Sequence, residues 1–451
     1  LVVFGQHDVL QREVSKMEVD SQFRHATIGL VIKEAQTGKI IFSKNPDLGL
    51  IPASSLKVVT SATSFELLES SFRFPTIISI SADLNEEDNV LIIDGRGDPT
   101  LGSERWDTTR AENIFNKIWI TLKKNKVSSL KGGLVLKDIN FSYQPTPPGW
   151  VWEDIGNYYG AGCWSLNWKE NMYEIDLEPG RNEEDGTKII GTRPSWMNDY
   201  LINFVKTGKP GIGDKSIVYS APYQQQAFIT GKIAPGKMIT VKAAMPSPAL
   251  FMGKELKTFL ESKGIQVGEV LVSSALLHDK RPYAELKDKV LDTLWSPPFT
   301  SMNHWFMNKS INLYGEAFIK SMAFLQGKEA TNEHAVNIIK AFWGKKGIFP
   351  DALNISDGSG LSPANRITAD VLVKILQYAQ KRNWYNSFYE ALPEMNGMRL
   401  KSGYMNGVRS YTGIVTGKGG RSYLVAFIVN NFYGSATTVR EKMWRVLDVL
   451  K

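Results

Sequence analysis

A single cysteine, Cys163, in 451 residues rules out an internal disulfide, so packing has to hold this chain together. The five histidines, His7, His25, His278, His304 and His334, are scattered, and no His-Glu-x-x-His pair occurs, so neither a metal nor a cofactor is expected. There is also no Gly-x-Ser-x-Gly elbow. No apolar run reaches the length of a membrane span. A net charge of +7, spread rather than blocked, favours an anionic partner or surface; it is not a nucleic-acid signature, because no basic run with interleaved aromatics stands out. Repeats and low-complexity tracts are missing. What remains is ordinary globular composition, 43% hydrophobic and 22% charged, with material for two or three cores. Leu1 to Phe4 read as the tail of a removed signal peptide or a cloning remnant.

The stretch from Ile51 to Leu68, IPASSLKVVTSATSFELL, organises the rest. Leu56, Val59, Ala62, Phe65 and Leu68 recur at three-residue spacing, widened by Val58, which predicts the buried stripe of a helix. Ser54 then stands at the helix N-terminus, where unpaired N–H groups and the dipole stabilise an oxyanion. Lys57 lies one turn on, on the same face. A lysine neutralised by burial and by a neighbouring cation can take the proton of such a serine, which makes a nucleophile without histidine. Alone the spacing decides nothing, since about three Ser-x-x-Lys matches are expected by chance in a chain of this composition, most of them an N-cap followed by a solvated lysine.

Before this stretch, residues 8–19 predict an amphipathic helix and ATIGLVIKEAQTGKIIFSKN a hairpin turning at Thr37-Gly38. The missing strands of its sheet come from the other end of the chain, Ser410–Val415 and Arg421–Asn430, followed by a helix over Thr437–Leu450. Between the two ends lies a long excursion. It holds strands in FPTIISISAD and VLIIDGRGDPTLG, a helix over Thr109–Asn125, an aromatic loop around Trp150, Trp152 and Trp164, and turn-rich charged segments from about Asn171 to Met238. Helix Ala249–Ser262 and strand Val267–Ser274 follow, and four helices are predicted between Phe299 and Arg382.

Two further tripeptides can carry chemistry. In Ser310-Ile311-Asn312 a hydroxyl can relay a proton while an amide holds a substrate carbonyl. In Lys401-Ser402-Gly403, at the start of an edge strand, a cation and a hydroxyl can meet a carboxylate, and glycine permits close backbone approach. Taken in order, the three motifs match the set shared by class A β-lactamases and penicillin-binding proteins. Together with PASSLK, GDPTLG, PPGWVWED, GNYYGAG, SPPF, DGSGLS and KSGYMNGVRSYTG, they make the whole chain resemble the D-alanyl-D-alanine carboxypeptidases of the DacB type, peptidase family S13.

The resemblance implies an α+β fold: a transpeptidase-like domain, with a five-stranded antiparallel sheet flanked by helices, formed by 1–73 and 277–451. It further implies an inserted domain of 74–170 and 239–276, and a third domain, 171–238, nested inside the second. By match to the motifs, Ser54 is the acylated nucleophile, Lys57 its general base and Ser310 the relay to the leaving D-alanine. Asn312 holds the peptide amide, while Lys401, Ser402 and Gly403 face the terminal carboxylate. The backbone N–H groups of Ser54 and Tyr404 form the oxyanion hole, and Asp154 meets the free end of a diaminopimelate side chain. Implied partners are peptidoglycan stem peptides and β-lactams, with an extracytoplasmic location and peripheral attachment to wall or membrane. Three departures stand out: Ile311 for aspartate, Tyr404 where a small hydroxyl residue is common, and Pro363 where a charge is frequent. A β-lactam hydrolase or D-aminopeptidase-like relative using the same serine is the alternative enzyme. A non-catalytic peptidoglycan-binding protein is the alternative of another class, opposed by the intact set of Ser54, Lys57, Ser310, Asn312 and Lys401.

Overall fold

The computed structural model describes residues 5–81, 89–224, 226–279 and 288–451; the reading of Leu1–Phe4 lies outside the described residues. The chain forms two compact units, one of Leu1–Phe72, Pro298–Gln326 and Asn332–Lys451, the other of Arg73–Pro297 with Gly327–Thr331.

In the first unit the two chain ends share one antiparallel sheet, as their apolar, β-branched runs predict. Among the described residues its order is Ile40–Lys44, Thr27–Glu34, Ser422–Asn430, Val408–Thr416, Met398–Met405 and Glu394–Met395. The resemblance implies five strands; the sixth has two residues and pairs only with the beginning of Met398–Met405. Thr27–Glu34 runs beside Ser422–Asn430 along its whole length, from Thr27 opposite Asn430 to Glu34 opposite Tyr423. Helices Gln6–Val19 and Ala436–Asp448 cover one face, where Leu10, Val14, Val439, Met443 and Leu447 bury against Leu30, Tyr411 and Phe427.

Helix Lys57–Leu67 is buried from Lys57 through Phe65 on every side, not along a single stripe. It packs among the helices Phe299–Asn308, Asn312–Leu325 and Ala369–Ala379, which leaves it no solvent face. The last of these begins at Thr368, whose hydroxyl accepts from the Val371 N–H.

The second unit centres on a mixed sheet, Val270–Val272, Gly133–Lys137, Val90–Gly95, Pro75–Ser81 and Asp288–Trp295. Asp288–Trp295 corrects the expected boundary at 277: paired with Pro75–Ser81, it places residues up to Pro297 in this unit. Its sequence, DKVLDTLW, has too weak an alternation to announce a strand. The predicted strand Val267–Ser274 is likewise interrupted, because Ser273 and Ser274 open a helix, Ser273–His278, that Asp138 caps through both their hydroxyls. Two small three-stranded sheets lie within 171–244, and their Ile175, Leu177, Val218 and Ile229 join Leu91, Ile93 and Leu136 in one core. In the aromatic loop Trp150 and Trp164 are buried, whereas Trp152 is exposed.

Candidate active site

Ser54 stands in a 3₁₀ turn, Ala53–Leu56, which runs directly into the α-helix beginning at Lys57, so it lies one turn ahead of the α-helix proper. The turn is fastened to the strands behind it. Ser410 Oγ donates to Pro52 O at 2.5 Å, and Ser55 Oγ lies 2.8 Å from Ser410 Oγ and donates to Lys401 O at 3.2 Å. Gly403 faces the same turn, and a Cβ there would stand 2.5 Å from Pro52 O and 2.9 Å from Ser54 N. No side chain fits, so the Lys401 strand approaches the serine backbone to backbone. From the other side, the loop Asp357–Ser362 closes in with Gly360 at φ +83°, where a Cβ would meet Ala53 O at 2.1 Å.

Lys57 is wholly buried, and three oxygens surround its Nζ: Asn312 Oδ1 at 2.6 Å, Ser359 O at 2.6 Å and Ser54 Oγ at 3.0 Å. Phe306 adds its ring face, 5.6 Å from Nζ to centroid. Burial drives the pKa of this amine well below the ordinary lysine value and the Lys401 cation lowers it further, against the raising pull of Asp357 and Glu316. Lys401 is itself buried, donates to Ser402 O at 3.0 Å, and burial lowers its pKa to about 7. A neutral amine has two hydrogens and one lone pair. With Asn312 Oδ1 and Ser359 O accepting the two hydrogens, the lone pair of Lys57 is left for the Ser54 hydroxyl.

Asn312 opens the helix Asn312–Leu325 after a short link in which Ser310 holds φ +59°; Ala53, immediately before Ser54, holds φ +46°. Left-handed backbone at a non-glycine residue costs about 1–3 kcal/mol and persists where the surroundings enforce it. Ser402 and Tyr404 extend from the opposite face of their strand to Lys401 and Gly403, and Tyr404 is exposed with the Arg409 guanidinium on its ring. Asp154 belongs to the second unit, in the short helix Trp152–Ile155, where burial raises its pKa and Tyr159 donates to it.

Sequence reasoning misses a second layer. Glu316, fully buried one turn beyond Asn312, accepts from Gly358 N at 3.1 Å and Asn332 Nδ2 at 2.7 Å, and its pKa rises to about 7 through burial and the nearby Asp357 charge. Asp357 in turn receives Gly360 N at 2.8 Å, Ser362 N at 2.7 Å and Asn365 Nδ2 at 2.9 Å, which shapes the loop that offers Ser359 O to Lys57. A glutamate set among Leu313, Tyr314, Ala317 and Phe318 is the signal for this layer.

The model of the family described as D-Ala-D-Ala carboxypeptidase 3 (S13) matches residues 10–449. The chain belongs to the S13 peptidase family. Over 94% of its length it is 25% identical to the D-alanyl-D-alanine carboxypeptidase of Actinomadura sp. (strain R39), covering 81% of that protein. It shares the fold of penicillin binding protein 4 from Haemophilus influenzae, at a TM-score of 0.79 and 19% identity with both chains covered in full. The same protein complexed with a β-lactam gives a TM-score of 0.73 at 19% identity, again over both whole chains. The mixed α/β architecture and the S13 membership therefore agree with the resemblance drawn from the motifs. Among the described residues no helix is long and apolar enough to cross a membrane.

Proposed function

We propose that this S13 chain is a serine D-alanyl-D-alanine carboxypeptidase and endopeptidase that acts on peptidoglycan stem peptides outside the cytoplasm, through an acyl-enzyme on Ser54. The observation that carries the reading is the surround of Lys57: two acceptors at 2.6 Å and the Ser54 hydroxyl at 3.0 Å, in a site that lowers the amine's pKa. As Ser54 Oγ attacks the penultimate carbonyl carbon, its proton passes to the Lys57 lone pair. The oxyanion that forms faces the backbone N–H groups of Ser54 and Tyr404. Collapse breaks the C–N bond while Ser310 relays the proton to the leaving D-alanine amine, and Asn312 keeps the acyl peptide in register. Water then cleaves the ester and regenerates Ser54. Lys401, Ser402 and Gly403 form the wall against which the terminal carboxylate lies.

Asp154, in the second unit, offers an anion to a free amine. The first compact unit corresponds to the transpeptidase-like domain, and 171–238 to a nested module within the second. Release of D-alanine from a peptide ending in D-Ala-D-Ala, measured for the full chain and for Ser54→Ala, tests the reading. D-Alanine appears only with the unmodified chain; release that survives Ser54→Ala refutes it.

A further inference from the structure

The exposed Tyr404 stands where the resemblance leads one to expect a small hydroxyl residue, and the structure shows what accompanies it. Tyr404 is directly opposite Arg409 on the neighbouring strand, and Ser402 is directly opposite Tyr411, so the four share one face. Arg409 is the diagonal neighbour of Ser402, a separation that a long side chain spans. Its guanidinium lies 5.5 Å from the centroid of the Tyr404 ring and 5.4 Å from that of Tyr411, and its Nε donates to the Tyr411 hydroxyl at 3.0 Å. Among the described residues no carboxylate pairs with it. The hydrogen bond to Tyr411 uses Nε alone, which leaves both terminal NH₂ groups of the fork to bind a planar anion end-on. Past Arg399 no strand pairs with the outer edge of Met398–Met405 among the described residues, so its backbone groups on that edge have no ladder partner there.

We propose that Arg409, carried on the Tyr404 ring and steadied by the Tyr411 hydroxyl, is the specificity residue that binds the substrate's terminal carboxylate beside Ser402. The proposal rests on the reading of the cleft as a D-Ala-D-Ala peptidase. Its physical motive is the state of the other cation: burial lowers the Lys401 pKa to about 7, so its charge is partial near neutral pH, whereas a guanidinium stays charged there. The arrangement also gives Tyr404 a purpose. An aromatic face holds a planar cation flat and reduces the freedom it would lose on binding.

The test compares benzylpenicillin with its methyl ester, two acylating agents that differ in the free carboxylate, on the full chain and on Arg409→Gln. The second-order rate of adduct formation is read by intact-mass spectrometry. We expect Arg409→Gln to slow acylation by the acid about 10- to 100-fold, the scale of one charge-assisted hydrogen-bonded contact, and to leave the methyl ester within about threefold. Arg409→Lys, which keeps a cation and loses the fork, gives an intermediate acid-to-ester ratio and serves equally if the glutamine variant does not fold. An unchanged acid-to-ester ratio in both variants overturns the proposal, whether both rates fall together or neither falls. If the unmodified chain forms no adduct with either agent, the peptidase reading fails and this inference fails with it.

Discussion

Gly403→Ala places a methyl group where the Lys401 strand meets the Ser54 turn. The new carbon would stand 2.4 Å from Ser410 Oγ, 2.5 Å from Pro52 O and 2.9 Å from Ser54 N, whereas non-bonded heavy atoms settle at about 3.5 Å or more. None of the three neighbours yields easily. Two are backbone atoms of the Ser54 turn, and Ser410 Oγ is tied to Pro52 O at 2.5 Å and to Ser55 Oγ at 2.8 Å. The strand and the turn therefore separate by about 1 Å, a misplacement that lowers the rate of a positioned reaction about 100-fold. Overpacking of this kind also destabilises by about 1–3 kcal/mol. The assay is the second-order rate of acylation by benzylpenicillin, paired with thermal unfolding. Gly191→Ala, where a Cβ meets nothing within 4 Å, is the control and changes neither quantity. A Gly403→Ala protein that folds and is acylated within about threefold of the unmodified rate refutes the claim that the strand's close approach builds the site.

Two further outcomes follow from the buried charges. The Lys401 pKa in the fold is about 7, against the ordinary lysine value of 10.5, so between those values the unfolded chain binds more protons and stability rises with pH. The gain is lost as pH falls toward 7, and Lys401→Met flattens the dependence of the unfolding midpoint on pH between about 7 and 10. Glu316 raises the Lys57 pKa through its negative charge. Glu316→Gln removes that pull wherever Glu316 is ionised, so the acidic limb of the acylation rate moves to lower pH; a limb that moves upward contradicts the placement of Lys57 as the base.

The parts of this molecule that can be read from its amino acids are those where local chemistry and tertiary role coincide. Ser54 and Lys57 are readable because the apolar periodicity from Leu56 to Leu68 marks the helix they open, and the sheet built from both chain ends is readable because Thr27–Glu34 and Ser422–Asn430 are apolar runs with β-branched residues. The strand Asp288–Trp295 is not, since three of its eight residues are charged and its place depends on a partner, Pro75–Ser81, far away in sequence. Helix Tyr385–Ala391 escapes notice for a related reason: at seven residues it is too short to show a period. Around Lys57, Asn312 and Lys401 are residues that motif order singles out, whereas the places of Glu316 and Asp357 depend on which backbone groups fold around them. Tyr404 looks like an obstacle in the sequence because Arg409, its cross-strand neighbour, becomes visible only in the register of the hairpin.

The most direct measurement is the mass of the intact chain after exposure to benzylpenicillin, followed by mapping of the modified peptide. If Lys57 makes the Ser54 hydroxyl reactive, one adduct forms and maps to Ser54, and neither Ser54→Ala nor Lys57→Met acquires it. An adduct on any other residue, or equal labelling of the Lys57→Met chain, contradicts the central claim.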